Sequence, residues 1–188
     1  MMEIPPLKDR LMPTVSILSP TEAENKIPRL ADLLFDAVES GASVGFVPPF
    51  ALKDALNYWR AVIPALREGN RILLAASDGN GLAGAVQLAL ETRSNGKHRA
   101  EVTKLLVHRR SRRQGLGKAL MTEAEAAARR LGRTLLFLDT KKGSDAEHLF
   151  SKVGYIRAGE IPGYARSIDG TLHTTVFFYR YLSPVEGH

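Results

Sequence analysis

The segment Arg112-Arg113-Gln114-Gly115-Leu116-Gly117 sets two guanidinium groups and two glycines directly ahead of a helix-like stretch, Lys118–Leu131. It follows the apolar run Val102–Val107. A strand that passes through a tight glycine turn into a helix start makes a cradle for phosphate oxygens. The first turn of a helix leaves backbone N–H groups unpaired and carries partial positive charge. Glycines let the main chain approach a ligand, and arginines add charge. By themselves these arginines read as a solvated loop; the neighbouring glycines favour the cradle. Two common phosphate motifs do not fit. A P-loop requires Gly-Lys-Ser/Thr, but Gly117-Lys118 is followed by Ala119, and Arg112 stands where the opening glycine belongs. A dinucleotide fingerprint requires a third glycine where Leu120 stands.

The chain that must position this segment is sized for one well-cored domain. Its 188 residues are 44% hydrophobic and 24% charged, an ordinary globular balance. No apolar run approaches the roughly 20 residues that span a bilayer. Met1–Pro6 lacks the charged start and apolar middle of a secretion signal, so a cytoplasmic location is expected. With no cysteine, disulfides, thiolate metal sites and a cysteine nucleophile are excluded. The net charge of +6 and a pI near 9.7 favour anionic ligands. Four of the 26 basic residues lie within Arg109–Arg113, but the others are scattered and no basic stripe alternates with aromatics. Neither nucleic acid nor membrane is therefore an expected partner. The five histidines show no ligand spacing, and no metal is expected.

Periodicity places the elements. Residues 1–13, with three prolines, read as a loose arm, and residues 14–184 as a single domain. Thr14–Ser19 alternates as a short strand. Thr21 and Glu24 have capping-box spacing ahead of a helix with Leu30, Leu33, Leu34, Ala37 and Val38 on one face. Gly41–Phe50 is a loop, and Leu52–Arg67 a helix that Pro64 is expected to bend or shorten. Arg71–Ser77 and Leu82–Glu91 form a hairpin about Asp78-Gly79-Asn80-Gly81. Strand Arg99–Val107, the glycine turn, its helix and strand Thr134–Asp139 make a crossover with two parallel strands. Helix Ser144–Val153, strand Tyr155–Ile161, a turn at Ser167–Gly170 and strand Leu172–Tyr181 complete the chain. The sum is a mixed sheet with helices on both faces.

The pattern Arg112-x-x-Gly115-x-Gly117 resembles the acetyl-CoA-binding signature of the GNAT superfamily of N-acetyltransferases. Leu105–His108 is similar to the strand that leads into that family's pyrophosphate loop. Ala146-x-x-Leu149-Phe150-x-x-x-Gly154-Tyr155 is similar to its second CoA-contacting helix and the strand after it. The likeness covers about Arg71 to Tyr181. Gly41–Phe46, His98–Val102, Leu138–Thr140 and Ile161–Ala165 further resemble the tabtoxin-resistance acetyltransferase branch. The resemblance implies a GNAT-like acyl-CoA N-acyltransferase fold of α/β (α+β) mixed-sheet class. About seven mostly antiparallel strands would carry a parallel central pair, with about four helices over both faces. It implies acetyl-CoA as co-substrate, without metal, and a small-molecule amine as acceptor, an amino-acid-like toxin or antibiotic among the options. Direct attack in a ternary complex, by a monomer or a homodimer, is expected. Acetylation of a protein N-terminus or lysine, and a non-catalytic CoA-binding module, are the alternatives.

The resemblance also assigns roles. Main-chain amides of Arg113, Gln114, Gly115, Leu116, Gly117 and Lys118 would hold the pyrophosphate, with charge from Arg112 and Arg113. The backbone of Leu106 and Val107 would pair with the pantetheine arm like an extra strand, and one of their amides would donate to the thioester oxygen. Glu101 and Asp139 match the branch's catalytic carboxylates, which take the proton an ammonium must lose before it attacks. From the residues alone, Glu101 reads equally as an edge-strand charge and Asp139 as a strand-end cap. Alternation sets Glu101 on the side opposite Val102, Lys104 and Leu106 unless a bulge intervenes. Phe46, Trp59 and Tyr164 are candidates to line the acceptor pocket. Two positions depart from the family pattern. Phe150 replaces a tyrosine able to protonate the leaving thiolate, and Gly143 an asparagine that contacts pantetheine.

Overall fold

The computed structural model describes residues 14–182. The arm expected over residues 1–13, and the last two residues of the domain expected over 14–184, lie outside the described residues. Seven strands form one sheet: β1 (Thr14–Ile17), β2 (Arg71–Asp78), β3 (Gly81–Leu90), β4 (Arg99–Val107), β5 (Leu135–Lys141), β6 (Ile156–Arg166) and β7 (Leu172–Tyr181). Their order across the sheet is β1-β2-β3-β4-β5-β7-β6, antiparallel throughout except for the parallel pair β4–β5. Five helices cover it: α1 (Pro20–Asn25), α2 (Ile27–Glu39), α3 (Leu52–Arg67), α4 (Leu116–Arg130) and α5 (Asp145–Lys152).

Period-2 alternation divides the sheet into two cores. One face packs Leu74, Val86, Leu88, Val102, Leu136, Leu138 and Phe178 against Leu116, Leu120, Met121 and Ala124 of α4 and Phe150 of α5. The other packs Leu73, Ala75, Ala85 and Leu106 against Leu30, Leu34, Trp59, Val62 and Ile63 of α2 and α3. Each fully buried leucine contributes about 2 kcal/mol by its removal from water. The helix α4 lies close upon β3 because Gly84 has no side chain: a Cβ there would stand 2.9 Å from Leu120 Cδ1 and 3.0 Å from the Leu106 carbonyl oxygen. The β2–β3 hairpin closes where the Asn80 N–H donates to Asp78 Oδ1 at 2.7 Å, an Asx turn.

The expected single N-terminal helix is two. Ser19, not Thr21, caps α1: its hydroxyl accepts the Glu22 N–H at 3.3 Å, and the Glu22 carboxylate accepts the Ser19 N–H at 2.8 Å. Pro28 has no N–H to continue α1, so the chain restarts as α2 after Lys26. Pro64 does not end α3, which runs on to Arg67. β6 extends past Ile161 to Arg166, which places Tyr164 on an edge strand rather than in a loop.

Candidate functional site

β4 and β5 pair only where Arg99, Ala100 and Glu101 face Leu135, Leu136 and Phe137. Beyond Glu101 each strand keeps only its outer partner, β3 or β7, so their facing edges part into a cleft. The cause lies in β4. Its pairing with β3 steps from Gln87↔Thr103 to Ala85↔Leu106, three residues against two, and Lys104 takes a left-handed φ of 52°. This is a β-bulge, which bends its strand and re-aims the side chains beyond it. Before the bulge Ala100 and Val102 face α4; after it Leu105 and Val107 do, while Leu106 turns to α2 and α3. Unbroken alternation, which separates Glu101 from Lys104 and Leu106, is thereby overturned.

The bulge also decides which amides line the cleft. The His108 N–H donates to Ala83 on β3 at 2.9 Å. Strand alternation therefore turns the N–H and C=O of Val107 to the opposite edge, toward the cleft. The Val107 carbonyl accepts Arg112 Nε at 3.0 Å, leaving its N–H to the cleft. The main-chain groups of Leu106 face β3 instead, so Leu105 shares the Val107 edge and Leu106 does not.

At the end of the cleft the loop rises into α4. Gly115 is the N-cap at φ 86°, and no side chain caps the helix, so the amides of Leu116, Gly117 and Lys118 have no side-chain acceptor. Arg113 is also left-handed, at φ 59°. Gly117 is helical and packs α4 on α5, a Cβ there meeting Leu149 at 3.0 Å. Arg112 brackets the loop, bonding the Val107 carbonyl and, at 2.6 Å, the Ser40 hydroxyl. Arg113 stays exposed, 3.4 Å from Asp145, and Gln114 donates to the Arg110 carbonyl at 3.0 Å. Asp36 of α2, unremarked in the sequence, holds the loop's base. Its buried carboxylate accepts the Arg109 N–H at 3.0 Å and also Arg109 Nε.

Glu101 and Asp139 stand on the α2–α3 face of β4 and β5, at the mouth of the split. Glu101 is partly buried and Asp139 is exposed, its carboxyl shielded from water only on the protein side. Burial pushes both carboxyls above the ordinary carboxylate range, and the Asp139 charge raises Glu101 further. The bulge brings Lys104 to the same face. Its Nζ lies 5.6 Å from the Phe46 ring centroid and 5.5 Å from that of Tyr58. Burial, then the Arg71 charge, pushes the Lys104 ammonium down, while Lys104 itself draws both carboxyls back down. Arg71 is held by Gln87 Oε1 at 2.6 Å, and Gln87 in turn donates to the Tyr58 hydroxyl at 3.0 Å.

Of the three aromatic pocket candidates the structure brings two to this face. Phe46 packs on Tyr58 and Phe50 beside Lys104. Tyr164 meets Phe177 edge-on at 5.3 Å, and Phe177 is the cross-strand neighbour of Asp139. Trp59 does not line the site: it is 1% exposed, within the helix-side core. Phe150 is buried against Tyr155 and Phe178 on the α4 side. Tyr155 lies there too, among Phe150, Glu125 and Arg180, and its burial pushes the phenol far up, so it is a core residue.

Comparison with known proteins gives concordant results. A sequence profile described as the Acetyltransferase (GNAT) family matches residues 31–155. An uncharacterised N-acetyltransferase from the hisH-hisA intergenic region of Azospirillum brasilense is 32% identical over 115 residues, which is 60% of this chain and 67% of that protein. A Salmonella typhimurium protein assigned as an acetyltransferase, solved with its cofactor acetyl-CoA, superposes with a TM-score of 0.73 at 16% identity. The match covers 94% of this chain and 98% of that one. Ribosomal-protein-alanine N-acetyltransferase from Brucella melitensis superposes with a TM-score of 0.73 at 19% identity, over 90% of this chain and 99% of its own. The seven-stranded mixed sheet with its parallel β4–β5 pair is the architecture shared with these structures.

Proposed function

The chain belongs to the GNAT family of acetyltransferases, and from that membership we propose that it transfers acetyl from acetyl-CoA to the primary amine of a small molecule by direct attack in a ternary complex. The observation that supports this most is the split between β4 and β5, with an uncapped helix N-terminus at one end and two carboxylates on its wall. Acetyl-CoA supplies an activated acyl group. The amides of the Arg113–Lys118 loop bind its pyrophosphate, and the free Val107 edge pairs with the pantetheine arm. The Val107 N–H is the donor placed to stabilise charge developing on the thioester oxygen.

Glu101 and Asp139 attract the ammonium of the acceptor and take its proton, directly or through water. Their raised proton affinity suits that task near neutral pH. With neither Phe150 nor Tyr155 offering a hydroxyl to the cleft, the CoA thiolate takes its proton from solvent or from Tyr164, which packs on Phe177 beside Asp139. Amine-dependent release of thiol from acetyl-CoA tests the reading.

Two outcomes follow from the loop and the bulge. Gly115→Ala forces a Cβ into a left-handed position, at a cost of about 1–2 kcal/mol that tilts the amides away. Titration calorimetry is expected to show acetyl-CoA binding weakened about tenfold, in a protein that still unfolds cooperatively. Lys104→Met removes the cation that draws both carboxyls down, so their pKa values rise further. The acid limb of the kcat/KM profile is expected to move to higher pH, with a larger loss at pH 6 than at pH 8. An unmoved limb would show that Lys104 does not act on the pair.

A further inference from the structure

On the same face as the carboxylates, the loop at 41–47 and the end of the β6–β7 hairpin enclose a cavity of about 250 Å³. Its lining is basic: Lys141 and Arg166 contribute to it, with His173, Ser43 and Phe46. Lys141 Nζ donates to Ser167 Oγ at 3.0 Å, Arg166 donates to the Gly170 carbonyl at 2.7 Å, and Ser43 Oγ stands 3.5 Å from His173 Nε2. Among the described residues none of these three bases is paired with a carboxylate. Lys141 and Arg166 in one concavity give a positive potential that an anion would neutralise, with the Asp169 carboxylate of the adjacent turn offsetting part of the Lys141 charge.

The cavity adjoins the reacting groups. Lys141 lies two residues beyond Asp139 on the same face of β5, so their Cα atoms are roughly 7 Å apart. Phe46, which lines the cavity, also lies beneath Lys104 beside the carboxylates. An ammonium seated at Asp139 and an anion seated by Lys141 and Arg166 are therefore several bonds apart. The carboxylate of an α-amino acid, one carbon from its amine, falls short of that span.

We propose that this cavity selects the acceptor by a carboxylate held between Lys141 and Arg166, separated from the reacting amine by about three to five carbons. This rests on the amine-transfer reading above and adds the acceptor's second charge to it. The reaction is balanced as before: the amine nitrogen bonds to the acetyl carbon, the carbon–sulfur bond breaks, and the proton passes through the carboxylates to solvent.

The test uses two matched probe series, ω-amino acids of four to six carbons and n-alkylamines of equal length, with glycine as the short control. In the wild-type protein kcat/KM is expected to be at least about tenfold higher for the ω-amino acids, the worth of one charge-assisted contact. Glycine should fall to the alkylamine level. In the Lys141→Gln/Arg166→Gln double variant the preference should vanish while alkylamine turnover stays unchanged. Equal turnover of both series in the wild type, or a preference that survives the double variant, overturns the proposal. Calorimetric binding of the five-carbon ω-amino acid separates this from the transfer reading. Tight binding that the double variant abolishes, without acetylation of any amine, supports the cavity and refutes transfer. Binding unaffected by the double variant refutes the cavity.

Discussion

Asp139→Asn and Glu101→Gln are each expected to lower kcat by about 10²–10⁴-fold at pH 7, the usual worth of a positioned proton acceptor. Neither carboxylate has a hydrogen-bonded partner among the described residues, so neither substitution strands a buried group. Tm should stay within about 2 °C of the wild type, in keeping with the small effect of substitutions away from core or network. Acetyl-CoA affinity should be unchanged, because the loop and the Val107 edge are untouched.

The pH profiles distinguish the two residues. A base must be unprotonated to act, so activity rises with pH through the carboxyl pKa values. Burial has raised both, which sets the wild-type acid limb above the ordinary carboxylate range. Asp139→Asn removes an anion whose repulsion raises Glu101. The remaining limb is therefore expected to move to lower pH. Both variants should regain activity as pH approaches the pKa of the acceptor amine, which then loses its proton without help. Because the pair works as one unit, the double variant should be little worse than the poorer single one.

The second large effect is expected at Asp36, far from the reacting atoms. Its carboxylate is 8% exposed and joins α2 to the base of the phosphate loop through the Arg109 N–H and side chain, with Arg112 at 3.9 Å. Asp36→Ala leaves a partly buried N–H without its acceptor and frees the Arg109 side chain, itself half exposed. Discounting the solvated part of the pair, the loss is about 2–4 kcal/mol. For a chain of this size that is a fall in Tm of roughly 5–15 °C. The loop then loses its seat on α2, and acetyl-CoA should bind at least about tenfold more weakly. Asp36→Asn, which keeps one acceptor oxygen, should lie between. A lower Tm with unchanged acetyl-CoA affinity would make Asp36 a scaffold residue only.

Much of this was legible in the sequence for definite reasons. The helices α3 and α4 follow from regular helical spacing, and the β2–β3 hairpin from its Asp78-Gly79-Asn80-Gly81 turn. The glycine turn ahead of an amphipathic stretch is legible, but the helix expected from Lys118 starts at Leu116, so only Gly115 belongs to the turn and Gly117 lies within α4. The boundary at Lys26 is hidden because Ala23 and Ile27 continue the apolar spacing of Leu30 and Leu34 back across Pro28. The bulge left a trace that alternation alone obscures. In Val102-Thr103-Lys104-Leu105-Leu106 two polar residues and then two leucines stand side by side, so the apolar face changes parity at Lys104. That trace is what brings Lys104 to the carboxylates and sets Val107, not Leu106, at the cleft edge. Trp59 was misread because an aromatic on a helix next to a loop looks the same in sequence whether it faces a pocket or a core. Asp36 and Lys141 meet Arg109 and Ser167 only through the folded topology, across separations no local pattern records.

The central claim is that the cleft transfers acetyl to an amine under control of Glu101 and Asp139. It is tested most directly by following thiol release from acetyl-CoA across a panel of small amines and peptides, with the acetylated product identified by mass. The expected result is thiol release that requires a small amine, gives one N-acetyl product per thiol, and falls at least about 10²-fold in Asp139→Asn and Glu101→Gln. Thiol release that ignores the small amines, that needs a peptide, or that persists at full rate in both variants would contradict it.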